Sequence, residues 1–175
     1  MRARLACLSL LLLVASPAGA RPVSAGFVIA SKRAEVVSAR ERYDLLDLRS
    51  RGFLALRPGR DGDELTTRDK PLGAVQLVKQ EGGELRCGDA FGVKVDGAWL
   101  VQGDALPLSL VTTKRQSAEV FQWRVGNCKG TGPVMTNAPI ALANTKANDA
   151  LVGCRRPWGP PFCWDEKQAM GTPAP

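Results

Sequence analysis

Val93-Lys94-Val95-Asp96-Gly97-Ala98-Trp99-Leu100-Val101 decides the fold. A lysine alternates between two valines, which places both valines on one face of an extended chain. Asp-Gly then supplies a two-residue turn that tolerates positive φ, and an apolar run returns. The stretch reads as a β-hairpin, and it has two echoes. Leu46-Asp47-Leu48 passes through Arg49-Ser50-Arg51-Gly52 into Phe53-Leu54-Ala55-Leu56, and Ile140-Ala141-Leu142 passes through a polar link into Ala150-Leu151-Val152. From Leu48 to Val95 is 47 positions, and from Val95 to Leu142 is 47 again. A period of that size predicts one supersecondary unit used three times, its copies burying their apolar faces on one another.

Each unit extends beyond its hairpin. A third apolar element follows at Val75-x-Leu77, Phe121-x-Trp123 and Phe162-x-Trp164. Leu85 to Asp89 precedes the central hairpin, while Leu108 to Val111 and Val120 to Val125 follow it, giving about four short strands per unit and about twelve in all. Lys32–Arg42 suits a helix or a strand equally. Residues 21–34 read as a linker or a first strand through Phe27-Val28-Ile29, and 35–166 as one all-β domain. Residues 167–175, ending Gly-Thr-Pro-Ala-Pro, read as a disordered tail.

The order apolar-x-apolar, turn, aromatic or Leu before Leu, then F-x-W, repeated three times, resembles the β-trefoil superfamily. The likeness covers roughly 35–165 and is closest to the fascin-like and MIR-like patterns. It implies three repeats of about four strands, forming a closed barrel with a hairpin cap, an arrangement that removes unpaired sheet edges. The chain departs from the ricin-type lectins, which carry Gln-x-Trp near each repeat end. Here Gln122 and Trp123 are adjacent, and the sugar sites of that subgroup do not carry over. Length and cysteine number are similar to those of plant Kunitz inhibitors, but their amino-terminal signature is missing.

Residues 1–20 have the makeup of a cleaved signal peptide. Arg2 and Arg4 form a basic start, Leu8 to Val14 an apolar core, and Ala18-Gly19-Ala20 a small-residue cleavage site, with a cut after Ala25 as the alternative. The apolar run is too short for a stable membrane span. A secreted or periplasmic protein is expected, its charge falling from +7 to +5 with the two lost arginines. Four cysteines remain, Cys87, Cys128, Cys154 and Cys163. An even number in an oxidising compartment reads as two disulfides. Cys154–Cys163 and Cys87–Cys128 are the favoured pairs. A metal centre is disfavoured, because no C-x-x-C occurs and the chain has no histidine.

Lack of histidine also removes Ser/His and Cys/His nucleophilic chemistry. Carboxylate clusters such as Asp61-Gly62-Asp63-Glu64 read as solvated turns, so no enzyme and no cofactor are expected. The aromatic residues Phe121, Trp123, Phe162, Trp164 and Trp99 recur at strand spacing and read as core rather than as a ligand box.

One segment has no counterpart in the other repeats. Between Cys154 and Cys163, Arg155 and Arg156 supply charge, Trp158 supplies a flat face, and three prolines lower the entropy lost on binding. Such a loop suits a sugar ring or an anionic group, or else plugs the barrel end. Lys114-Arg115 is a second basic run, with the potential to join the first in one patch. The expectation is therefore a non-catalytic, monomeric module for carbohydrate or an acidic cell-surface polymer. A protein-interaction or protease-inhibitor module using loop 154–163 is the alternative. Nucleic acid is an unsuitable partner for an exported chain, despite its basic charge.

Overall fold

A computed structural model describes residues 25–39, 41–59, 62–102, 110–128, 130–154 and 162–164. They form thirteen strands and one 3₁₀ turn (Ala118–Val120), with no α-helix among the described residues. The strands are β1 (Phe27–Ala30), β2 (Asp44–Asp47), β3 (Phe53–Gly59), β4 (Gly62–Arg68), β5 (Val75–Val78), β6 (Gly92–Val95) and β7 (Ala98–Gln102). There follow β8 (Leu110–Thr113), β9 (Trp123–Val125), β10 (Pro139–Ile140), β11 (Leu142–Asn144), β12 (Asp149–Gly153) and β13 (Phe162–Trp164). Three sheets result, ordered β10-β1-β2-β3-β4, β5-β6-β7-β8 and β13-β12-β11-β9. None of these sheets closes into a barrel, and all their pairings are antiparallel.

Backbone bonds link one sheet to the next at equivalent places. Tyr43 and Val75 exchange N–H···O bonds of 2.7 and 2.9 Å, and Phe91 and Trp123 exchange bonds of 2.9 and 3.1 Å. The third such pair, Phe27 with Ile140, lies in the β1–β10 ladder. Phe27, Val75 and Trp123 are spaced by 48 and 48 positions, and Tyr43, Phe91 and Ile140 by 48 and 49. The β1–β2, β5–β6 and β9–β10 connections meet in a ring of three bonds. Val37 donates to Val134, Val134 to Leu85, and Leu85 back to Val37, each at 2.8 Å. Every bond in that ring joins segments at least 48 positions apart, so none of the three segments satisfies its own backbone there.

The core draws on all three sheets. Phe27, Leu45, Val75, Val93, Trp123, Leu142 and Leu151 are fully buried. Each removes roughly 2 kcal/mol worth of apolar surface from water. β1, inside the 21–34 segment, contributes Phe27 and Ile29 to it. Segment 32–42 forms neither a helix nor a named strand in its described part, only single bridges at Val36 and Ser38.

Two expectations need correction. In the first repeat the inward residues are Leu45 and Asp47, one position from the expected Leu46 and Leu48, which are half-buried. Register is set by Tyr43 against Val75 and by Leu46 opposite Phe53, and a strand with side-chain period two cannot then turn Leu46 inward. Asp47 tolerates the interior because its carboxylate accepts hydrogen bonds from the backbone N–H groups of Arg49 and Ser50. Phe162-x-Trp164 is also not the counterpart of Val75-x-Leu77. It forms β13, the hairpin partner of β12, whereas Val75 and Trp123 open new sheets. The shared motif reflects a shared need for bulk: Trp164 sits 6.1 Å from Trp123, and Phe162 lies 6.1 Å from Phe27.

Both disulfides pair as expected. Cys87–Cys128 joins the β5–β6 and β9–β10 connections, and Cys154–Cys163 joins the facing ends of β12 and β13. Their Cα separations of 5.4 and 5.5 Å lie in the ordinary range. Two disulfides fit an oxidising compartment. Among the described residues no helix is long and apolar enough to cross a membrane.

Candidate functional site

The turn from β2 to β3 is organised by the buried Asp47. Its carboxylate accepts the N–H of Arg49 at 3.3 Å and of Ser50 at 2.9 Å, while its carbonyl accepts the N–H of Arg51 at 2.9 Å. This is the local bonding by which Asp favours turns. Arg51 is left in the left-handed region at φ 63°, where a side chain is disfavoured. Across the turn, Arg49 Nη1 donates to the carbonyl of Gly153 at 2.8 Å. Gly153 has to be glycine, since a Cβ there would stand 2.5 Å from Asp47 Oδ2.

Together these residues frame a cavity of about 590 Å³ lined by Leu48, Arg49, Ser50, Arg51 and Cys154. Arg49, Ser50 and Arg51 are exposed. Among the described residues no carboxylate makes an ion pair with either arginine. Elsewhere Arg57 pairs with Glu64, Arg68 with Asp96, Lys79 with Asp89 and Arg86 with Glu84. Two guanidinium groups at one depression present a planar set of donors suited to an oxyanion.

The equivalent turns are chemically different. β6 and β7 are joined by Asp96-Gly97, both at positive φ, and Asp96 is paired with Arg68. In the third repeat Asn144 takes the part of Asp47, its Oδ1 accepting the N–H groups of Lys146 at 3.0 Å and Ala147 at 2.9 Å. The Lys146 ammonium there is turned to the Gln102 carbonyl at 3.4 Å.

Of the residues singled out from sequence, Lys114 and Arg115 are exposed in the bend after β8, where Arg115 N–H reaches Thr113 Oγ1 at 3.1 Å. They do not line the cavity. Arg155, Arg156 and Trp158 lie outside the described residues, although in sequence Arg155 and Arg156 directly follow Cys154, which does line it. Sequence reasoning read Arg49-Ser50-Arg51 as a turn and overlooked it as a site. The available signal was that its charge has no match in the equivalent turns.

Of the aromatic residues read as core, Trp99, Trp123, Phe162 and Trp164 are buried, whereas Phe121 is half-buried. Trp99 and Trp123 are 2% and 0% exposed, and Trp123 Nε1 donates to the Leu100 carbonyl at 2.8 Å. Lys94 lies 4.3 Å over the Trp99 ring and Phe121 packs edge-on against it at 5.9 Å. Gln122, also buried, holds three segments together. Its Oε1 accepts Gln102 N–H at 2.8 Å and Asn144 Nδ2 at 2.6 Å, and its Nε2 donates to the Glu119 carbonyl at 2.6 Å.

Among the described residues, two groups titrate away from their ordinary values. Burial pushes the Tyr43 phenol up, partly opposed by the N–H of Ser38. Burial raises the Asp89 carboxyl as well, but the Lys79 ammonium and the Arg86 N–H together outweigh it and hold that group below the usual carboxylate range. Neither lies at the cavity. No group of three metal-ligating side chains occurs among the described residues. No family model, curated protein or solved structure matches the chain.

Proposed function

We propose that the chain is a secreted β-trefoil acting as a non-catalytic binding module for acidic carbohydrate, such as a cell-surface polymer. Support for the trefoil reading comes from the pairing β1–β2, the Tyr43–Val75 bridge, the pairing β5–β6, the Phe91–Trp123 bridge and the pairings β9–β11 and β10–β1, with only Ala141 between β10 and β11. The hairpins β3–β4, β7–β8 and β12–β13 then serve as the cap. Trefoils host several unrelated functions, so the fold alone names no ligand.

The observation that carries the functional reading is the cavity at Cys154, where Arg49 and Arg51 stand without carboxylate partners. Arg155 and Arg156, outside the described residues, follow Cys154 in sequence and carry charge of the same sign. A basic depression concentrates acidic ligands near its mouth and loses that advantage as salt screens it.

The test is a glycan array probed with the oxidised protein at low and at physiological salt. Acidic glycans should bind with an affinity that falls as salt rises, and neutral glycans should not. Equal retention of neutral glycans, or no retention at low salt, would overturn the reading.

A further inference from the structure

Resting on that reading, the geometry points to a narrower site: the cavity between the Leu48–Gly52 turn and Cys154 is a seat for a single acidic sugar unit, present once per chain. Its ligand is an oxyanion-bearing sugar, a uronate or a sulfate ester, held at a chain end or in a short oligosaccharide. A long basic track along a polymer would be a different device.

Three observations lead there. The first is copy number. Turns at the corresponding place in the three repeats are Arg49-Ser50-Arg51, Asp96-Gly97 and Thr145 to Asn148. Only the first presents two cations without a carboxylate partner, since Asp96 is neutralised by Arg68 and the Lys146 ammonium faces the Gln102 carbonyl. A module built for multivalent capture would keep its charges at all three turns.

The second is size. At about 590 Å³ the cavity falls within the range of small-ligand pockets, room for one acidic sugar unit and its immediate neighbours rather than an extended chain.

The third is preorganisation. Arg49 is anchored through Nη1 to the Gly153 carbonyl, so part of its fork is fixed before any ligand arrives. Asp47 fixes the backbone of Arg49 and Ser50, and Arg51 occupies a left-handed conformation that glycine would adopt at lower cost. Backbone strain kept at an exposed arginine beside a cavity marks a position chosen for its side chain.

The experiment measures binding of polygalacturonate and of a sulfated glycosaminoglycan to the oxidised full chain, then competes each with trigalacturonate and with a sulfated disaccharide. Titration calorimetry with the effective competitor gives the stoichiometry. One short acid should displace its polymer fully, bind one per chain, and lose its effect when its acidic groups are methyl-esterified or desulfated. Which short acid succeeds separates uronate from sulfate ester.

Arg51→Gly should weaken binding about tenfold or more, the expected effect of losing a charge-assisted hydrogen bond. Because glycine suits that backbone, the variant folds, and its melting curve verifies this. Lys114→Ala/Arg115→Ala should leave binding within about twofold. Polymer binding that neither short acid displaces, a stoichiometry of three, or equal losses in the two variants would overturn the single seat while leaving acidic-polymer binding standing. No binding of either polymer at low salt would overturn both.

Discussion

At the scale of single residues, the molecule accepts a local penalty at Arg51. Its φ of 63° is a conformation in which L side chains crowd the following carbonyl, at a cost of about 1–2 kcal/mol. Arg51→Gly should therefore raise thermal stability, by roughly 0.5–1 kcal/mol after allowing for the extra freedom of glycine in the unfolded chain. Stability that rose while anion binding fell would identify a residue kept for function, and a fall in stability would make Arg51 a structural part of its turn. Asp89 supplies a second single-residue test. Its folded-state pKa is depressed, so its contribution is present above the unfolded carboxylate value of about 4 and is lost as pH falls through the folded value. Lys79→Met should flatten the acid limb of the stability curve by about 1 kcal/mol or less, because the pair remains partly exposed. An unchanged acid limb would show that Lys79 does not hold the carboxyl down.

Elements show where sequence patterns carry information and where they stop. The β6–β7 hairpin was legible because alternation and Asp-Gly agree, and the observed ladder places Val93 opposite Leu100 and Val95 opposite Ala98. The residues that bridge the sheets, Phe27, Val75 and Trp123, lie 48 positions apart, close to the 47 read from Leu48, Val95 and Leu142, although Leu48 itself does not face inward. Leu45-Leu46-Asp47-Leu48 was misread because it offers apolar residues on both faces, so its register depends on a bond to Val75 far away in sequence. The basic turn was legible as a turn only. Nothing local indicates that Gly153, roughly a hundred positions on, supplies the carbonyl that fixes Arg49. Gln122 is a similar case, adjacent to Trp123 in sequence yet serving β7 and β11 at once. Gln122→Ala should cost about 2–3 kcal/mol by leaving a buried N–H and the Asn144 amide without their acceptor. Chemical denaturation measures this, and a loss below about 0.5 kcal/mol would mean that water replaces the side chain.

For the whole molecule, the two disulfides constrain very different lengths of chain. Cys87–Cys128 spans 41 positions and Cys154–Cys163 spans 9. Chain-entropy arguments then assign about 4 kcal/mol to the first and about 2.5 kcal/mol to the second. Replacing each pair by serines and comparing denaturation midpoints tests the order, and a larger loss for the short loop would show that it holds more than its own segment. The long bridge also joins connections that meet in the three-bond ring of Val37, Leu85 and Val134, with Cys87 N–H bonded to the Gly132 carbonyl at 2.9 Å. Its removal should loosen that end of the molecule and leave the cavity at Cys154 in place.

The pairing of Phe27 with Ile140 also imposes a schedule. These residues are 113 positions apart, and at ordinary ribosomal speeds the second is made roughly 6–23 s after the first. β1 finds β2 early, on one edge. Its other edge, with Phe27 still uncovered, waits for β10, and through that interval the nascent chain carries a strand open to any passing partner.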